Sequence, residues 1–110
     1  MNRTIGFIDT AIGALKTARD DLRHDRNVLP ADLSGVIGTT RELAWTIDTL
    51  TAVLVDRYQR LDDLGHDTGA DPAVCVNRII ERLAHTRRHL DTIDNCLGDA
   101  HNHAAKLHQT

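Results

Sequence analysis

The segment 71–106, DPAVCVNRIIERLAHTRRHLDTIDNCLGDAHNHAAK, decides the fold. It opens with Asp71 and Pro72, a strong helix start, because an Asp side chain accepts hydrogen bonds from free backbone N–H groups and Pro is tolerated at the first helical position. Apolar residues then recur at spacings of three and four, as one face of a helix requires. They are Val76, Ile80, Leu83, Leu90, Ile93, Leu97 and Ala104. We predict one helix over 72–106 with this stripe buried.

The residues before it predict a turn and a second long helix. Segment 62–71, DDLGHDTGAD, contains glycine and aspartate but no Arg or Lys, a composition typical of turns, and Gly65 suits a helix C-cap. We predict a helix over 31–62, started near Pro30 and Asp32. Its inner face carries Leu33, Val36, Thr40, Leu43, Ile47, Leu50, Leu54 and Leu61. Two helices of about 50 Å joined by a short loop should form an antiparallel hairpin.

A shorter helix is predicted over 4–26. Two neighbouring stripes should pack it against two partners: Ile5, Ile8, Ile12, Leu15 and Leu22, and beside them Phe7, Ala11, Ala14 and Ala18. The chain then forms a single helical domain, 1–110, of the all-α class. We expect a three-helix up-down-up bundle dominated by the long antiparallel hairpin. Because a hairpin of this length usually buries its remaining stripe against another chain, we also expect a homodimer or a helical protein partner.

Composition narrows the classes of function. The formal net charge of −3 and the three aromatic residues Phe7, Trp45 and Tyr58 argue against a dedicated nucleic-acid binder, which needs positive charge and stacking surfaces. No apolar run approaches the roughly 20 residues of a membrane span, and 1–15 lacks the apolar core of a signal peptide, so we expect a soluble protein with no membrane partner. Cys75 and Cys96 lie about 30 Å apart on one predicted helix and cannot pair, which suggests a reducing cytoplasm.

Two features are candidates for partner binding. Trp45 lies about 160° around its helix from Ile47, so it points away from the predicted inner face and is either covered by the first helix or offered to a partner. Arg78, Arg82, Arg87 and Arg88 form the clearest charge cluster, opposed locally only by Glu81. These arginines could meet an acidic partner surface, pair with aspartates of a neighbouring helix, or contact phosphate as a nucleic-acid accessory protein.

His85 and His89 suggest a second kind of site. A spacing of four places both imidazoles on one helix face, the arrangement that a divalent transition metal prefers. The same face is opposite the buried stripe, so a partner chain would have to supply further ligands. We find no catalytic motif and predict neither catalytic residues nor an organic cofactor. The sequence therefore predicts a non-catalytic interaction or regulatory module, with a metal-binding helical bundle and a nucleic-acid accessory protein as alternatives.

Overall fold

The computed structural model describes residues 2–61 and 72–107, which form three α-helices: α1 (Asn2–His24), α2 (Pro30–Leu61) and α3 (Pro72–Leu107). The predicted all-α class is confirmed, since no strand occurs in these ranges. The helix ends agree with the predicted bounds to within two residues wherever they are described. The predicted turn 62–71, with the caps at Gly65 and Asp71, lies outside the described residues.

Two aspartates shape the connection between α1 and α2. The backbone N–H of Asn27 donates to the carboxylate of Asp25 at 2.9 Å, a turn that follows the last helical hydrogen bond of α1. The backbone N–H of Leu29 donates to the carboxylate of Asp32 at 3.2 Å. Asp32 therefore satisfies a free donor at the start of α2, as predicted, and its negative charge lies at the positive end of the helix dipole.

The hairpin of α2 and α3 is confirmed and its register is fixed by two ion pairs. Arg41 Nε donates to Asp94 Oδ1 at 2.9 Å, and Arg87 Nε donates to Asp48 Oδ1 at 2.9 Å. Moving seven residues up α2, from Arg41 to Asp48, moves the partner seven residues down α3, from Asp94 to Arg87. That reciprocal spacing is the signature of an antiparallel pair whose contact repeats every two turns.

The seam between the two helices carries small residues where it is most buried. Its most buried positions are Ser34, Ala44 and Thr51 of α2 and Gly98 of α3. Gly98 leaves room for the Arg41 side chain, since a Cβ there would lie 2.8 Å from the guanidinium carbon of Arg41. Small side chains let the helices approach closely, but they bury little apolar area.

The predicted inner face of α2 is wrong. Most of its members are exposed, because α3 contacts the neighbouring stripe that runs through Ser34, Arg41, Asp48 and Val55. The two stripes differ by one residue in register, and hydrophobicity alone favoured the one with larger side chains. The predicted stripe of α3 does face α2 and is half-buried, except for Ile93, which is 44% exposed.

Helix α1 stands apart from the hairpin. No Cα atom of α1 comes within 8 Å of a Cα atom of α2 or α3. The predicted packing of α1 against two neighbours is therefore not found in the single chain, and its aliphatic stripe is exposed. The chain as a whole measures 62 × 27 × 16 Å, so the three helices form a flat, elongated body.

We expect Ala44→Leu to lower the free energy of unfolding by about 1–3 kcal/mol, because the added volume has no room in the seam with α3. Urea unfolding followed by circular dichroism measures this. The control is Ala100→Leu, at an exposed position of α3. Equal effects of the two substitutions would show that Ala44 does not face α3.

Candidate partner-binding surfaces

The largest candidate surface is an aliphatic face shared by α1 and α2. Its members recur at spacings of three and four on both helices, as in a coiled-coil seam, yet all of them are at least 38% exposed. They are Ile5, Ile8, Ile12, Leu15 and Leu22 of α1 and Leu33, Val36, Ile47, Leu50 and Leu54 of α2. Soluble monomers rarely expose so many large aliphatic side chains together, and such patches mark interaction sites.

A groove of about 590 Å³ separates α1 from the first half of α2 within this face. Leu15 and Ala18 line it on the α1 side, and Val36 and Leu43 are among the α2 residues on the other side. At its far end Leu22 and Val28 continue the lining toward Val36. The groove is therefore open, apolar and bounded by two helices, which is the form of a site that accepts another helix.

Trp45 lies on the opposite flank of α2. Its side chain is 61% exposed, so α1 does not cover it. Beside it a shallow pocket is lined by Gly38, Arg41, Glu42 and Asp94. At 100° per residue, Trp45 and Ile47 lie about 160° apart around α2, so the hairpin separates Trp45 from the aliphatic face.

The four arginines of α3 have different environments. Arg87 lies across the seam, where the hydrogen bond with Asp48 and then the charge of that carboxylate raise its pKa above the ordinary arginine value. Arg88 Nη2 lies 3.5 Å from His85 Nδ1. Arg78 and Arg82 are exposed, and no ion pair to either occurs among the described residues. The positive charge available to a partner therefore comes from Arg78, Arg82 and Arg88.

Arg41 forms the second pair of this kind. The hydrogen bond with Asp94, followed by the charge of that carboxylate, raises the pKa of Arg41. The spacing of apolar residues gives no indication of Arg41. The signal that would have found it is the seven-residue repeat at 34, 41, 48 and 55. Its two charged members are Arg41 and Asp48, and a single antiparallel register of α2 and α3 brings each of them to an opposite charge on α3.

His85 and His89 converge as their spacing predicts. Their Nε2 atoms are 3.0 Å apart and the rings meet edge to face at a centroid distance of 4.5 Å. Both are exposed on the outer side of α3. The described residues bring no third His, Cys, Asp or Glu side chain to this pair, so it offers two of the four ligands of a tetrahedral zinc site.

The comparisons with known proteins return no match: no family model, no curated protein and no solved structure resembles this chain. Among the described residues, no helix has both the length and the apolarity needed to cross a membrane.

We expect Trp45→Ala to change the free energy of unfolding by no more than about 0.5 kcal/mol, as for other exposed residues outside special contacts. Tyr58→Ala is the comparison, because Tyr58 is half-buried in the hairpin and its loss should cost about 1–2 kcal/mol. Urea unfolding of both variants measures this. If Trp45→Ala lowered the free energy of unfolding as much as Tyr58→Ala does, Trp45 would belong to the core of the protein.

Proposed function

We propose that the protein is a non-catalytic helical interaction module that works as a homodimer and recognises a further partner through a helix face. The single observation that carries the proposal is the aliphatic face, which the hairpin does not cover. Burying apolar side chains supplies most of the free energy of association, at about 25 cal/mol per Å² of apolar surface removed from water.

The surroundings of Trp45 support the proposed recognition of a further partner. Trp and Arg are the residues most enriched among those that dominate binding energy at interfaces. Trp45 lies beside the Arg41–Asp94 pair, and Arg78, Arg82 and Arg88 lie on α3. We infer that Trp45, with charge contributed by the exposed arginines of α3, selects the partner while the aliphatic face holds the assembly together. The free thiols of Cys75 and Cys96 fit our proposal that it works in the cytoplasm.

Light scattering on the purified protein tests the dimer. We expect a mass near twice 12.2 kDa for the wild type and a shift toward the monomer for Ile47→Asp, because a charge in the buried centre of the interface is costly. Val53→Asp is the matched control, since Val53 is 57% exposed on the same helix but lies outside the aliphatic face.

The result that would overturn this proposal is a wild type that stays monomeric up to millimolar concentration. A dimer that Ile47→Asp and Val53→Asp leave equally intact would place the interface elsewhere on the molecule. Circular dichroism of each variant shows whether the helices are retained, so that loss of folding is not mistaken for loss of association.

A metal-binding role is the second candidate, favoured by the geometry of the histidine pair. Two ligand nitrogens that each lie about 2.0–2.1 Å from one zinc ion are roughly 3 Å apart, close to the 3.0 Å between the Nε2 atoms of His85 and His89. Water or a second chain would complete the coordination. Arg88 beside His85 disfavours a further cation, which weakens this candidate relative to the first.

We expect a His85→Ala, His89→Ala double variant to lose zinc or nickel that the wild type retains, because chelation requires both imidazoles. Elemental analysis after dialysis against a dilute metal solution measures this. His103→Ala is the control, since His103 is exposed on the same helix and lies 3.5 Å from Asp99 instead of another imidazole. Equal metal content in the wild type and the double variant would remove this candidate.

A further inference from the structure

The chain exposes more surface than a compact protein of its mass. Its accessible surface is 8823 Å², whereas a folded monomer of 12.2 kDa exposes about 6,100 Å². The excess is about 2,700 Å² per chain, or about 5,400 Å² for two copies, which is large enough for an obligate homodimer, whose interface buries about 2,000–5,000 Å² over both partners. The aliphatic face lies on α1, where every described side chain is exposed, and on the part of α2 that α3 does not cover, so it is the surface available for this burial.

The geometry points to a specific occupant of the groove between α1 and α2: helix α1 of a second copy of this chain, running antiparallel to the first. This inference rests on the proposed homodimer and specifies its interface. By two-fold symmetry the first α1 enters the groove of the second copy. The α1 and α2 helices of both chains then form a four-helix core, and the α3 helices lie outside it.

The pattern of α1 supports helical packing of this kind. Ile5, Ile12 and Arg19 are seven apart, and so are Ile8, Leu15 and Leu22. These two rows are the core rows of a coiled coil. In the single chain only the Leu15 to Leu22 end faces α2 across the groove. A second α1 would cover the rest of the stripe.

Charge selects the antiparallel direction. In a parallel pair Arg19 would meet Arg19 of the second copy at a core position, which places two like charges together. In an antiparallel pair with Ile12 opposite Leu15, Arg19 meets Ile8 and can extend its charge to solvent. The flanking positions then bring Asp9 close to Lys16 of the second copy, and this attraction occurs twice in the dimer. A parallel pair places neither residue beside an opposite charge.

The first test removes the α1 contact. Ile12→Asp places a charge at the centre of the proposed core, and we expect the dissociation constant of the dimer to rise at least roughly 100-fold by sedimentation analysis. Thr10→Asp is the matched control, because it adds the same charge to the outer side of α1. The hairpin helices should remain folded in both variants, since α1 makes no close backbone approach to them.

The second test measures whether the two α1 helices run antiparallel or parallel. Asp9→Lys should raise the dissociation constant of the dimer roughly 10-fold. Adding Lys16→Asp should restore the original value, because the exchanged charges attract again. The distance between two spin labels, measured by pulsed EPR, gives an independent readout. The label is attached at Arg3→Cys, and Cys75→Ser and Cys96→Ser remove the other two thiols. The two labels should be roughly 30 Å apart in the antiparallel pair and roughly 10 Å apart in a parallel one.

The outcomes separate this inference from the proposal on which it rests. A dimer that Ile47→Asp dissociates and Ile12→Asp does not would overturn the role of α1 and leave the interaction module standing. A short label distance, or no rescue by the double charge exchange, would overturn the antiparallel arrangement. A wild type that remains monomeric would overturn both.

Discussion

The small-residue seam between α2 and α3 is the constraint on which the rest of the structure depends. Ser34, Ala44, Thr51 and Gly98 let the two helices approach closely, but side chains of this size bury little apolar area. The pairs Arg41–Asp94 and Arg87–Asp48 set the register, and because they are exposed they add little free energy. A hairpin held in this way leaves the larger aliphatic side chains of α2 exposed, where they remain available for burial.

That arrangement links folding to association. A chain of 110 residues has a small margin of stability even when its core is fully formed, and here the described residues include no large side chain that is fully buried. Helix α1 contributes no close packing within the single chain. Any partner that covers the aliphatic face would stabilise the folded state by mass action, and the stability would then depend on protein concentration. In the proposed dimer, the same exposed aliphatic side chains would serve both as the interaction surface and as part of the core.

The sequence predicted the parts of the structure that depend on local signals. The helix starts at Pro30 and Pro72, the spacing of apolar residues and the reversal between two long helices were sufficient for the all-α hairpin. The inner face of α2 was assigned wrongly, because α2 carries two stripes one residue apart and periodicity does not say which neighbour each one meets. The deciding information is in pairs such as Arg41 with Asp94, which are 53 positions apart and become neighbours only in the folded hairpin. For the candidate site, convergence of His85 with His89 follows from their helical spacing. The sequence left open whether α1 covers Trp45, and it did not say which of the four arginines pairs with an aspartate of α2.

The placement of Trp45 gives the proposed assembly its functional meaning. Because Trp45 and the aliphatic face lie on opposite flanks of α2, a dimer built on the aliphatic face leaves Trp45 and the Arg41–Asp94 pair uncovered in both copies. Two-fold symmetry then presents the same flank twice, in a fixed relative orientation. A partner that carries two matching sites would bind the second one at a high effective concentration, so modest contacts around each Trp45 would add up to a tight complex. In the proposed dimer the seam of α2 and α3 thus has two consequences: it leaves one flank of α2 free for pairing, and pairing would present the other flank as a duplicated recognition surface.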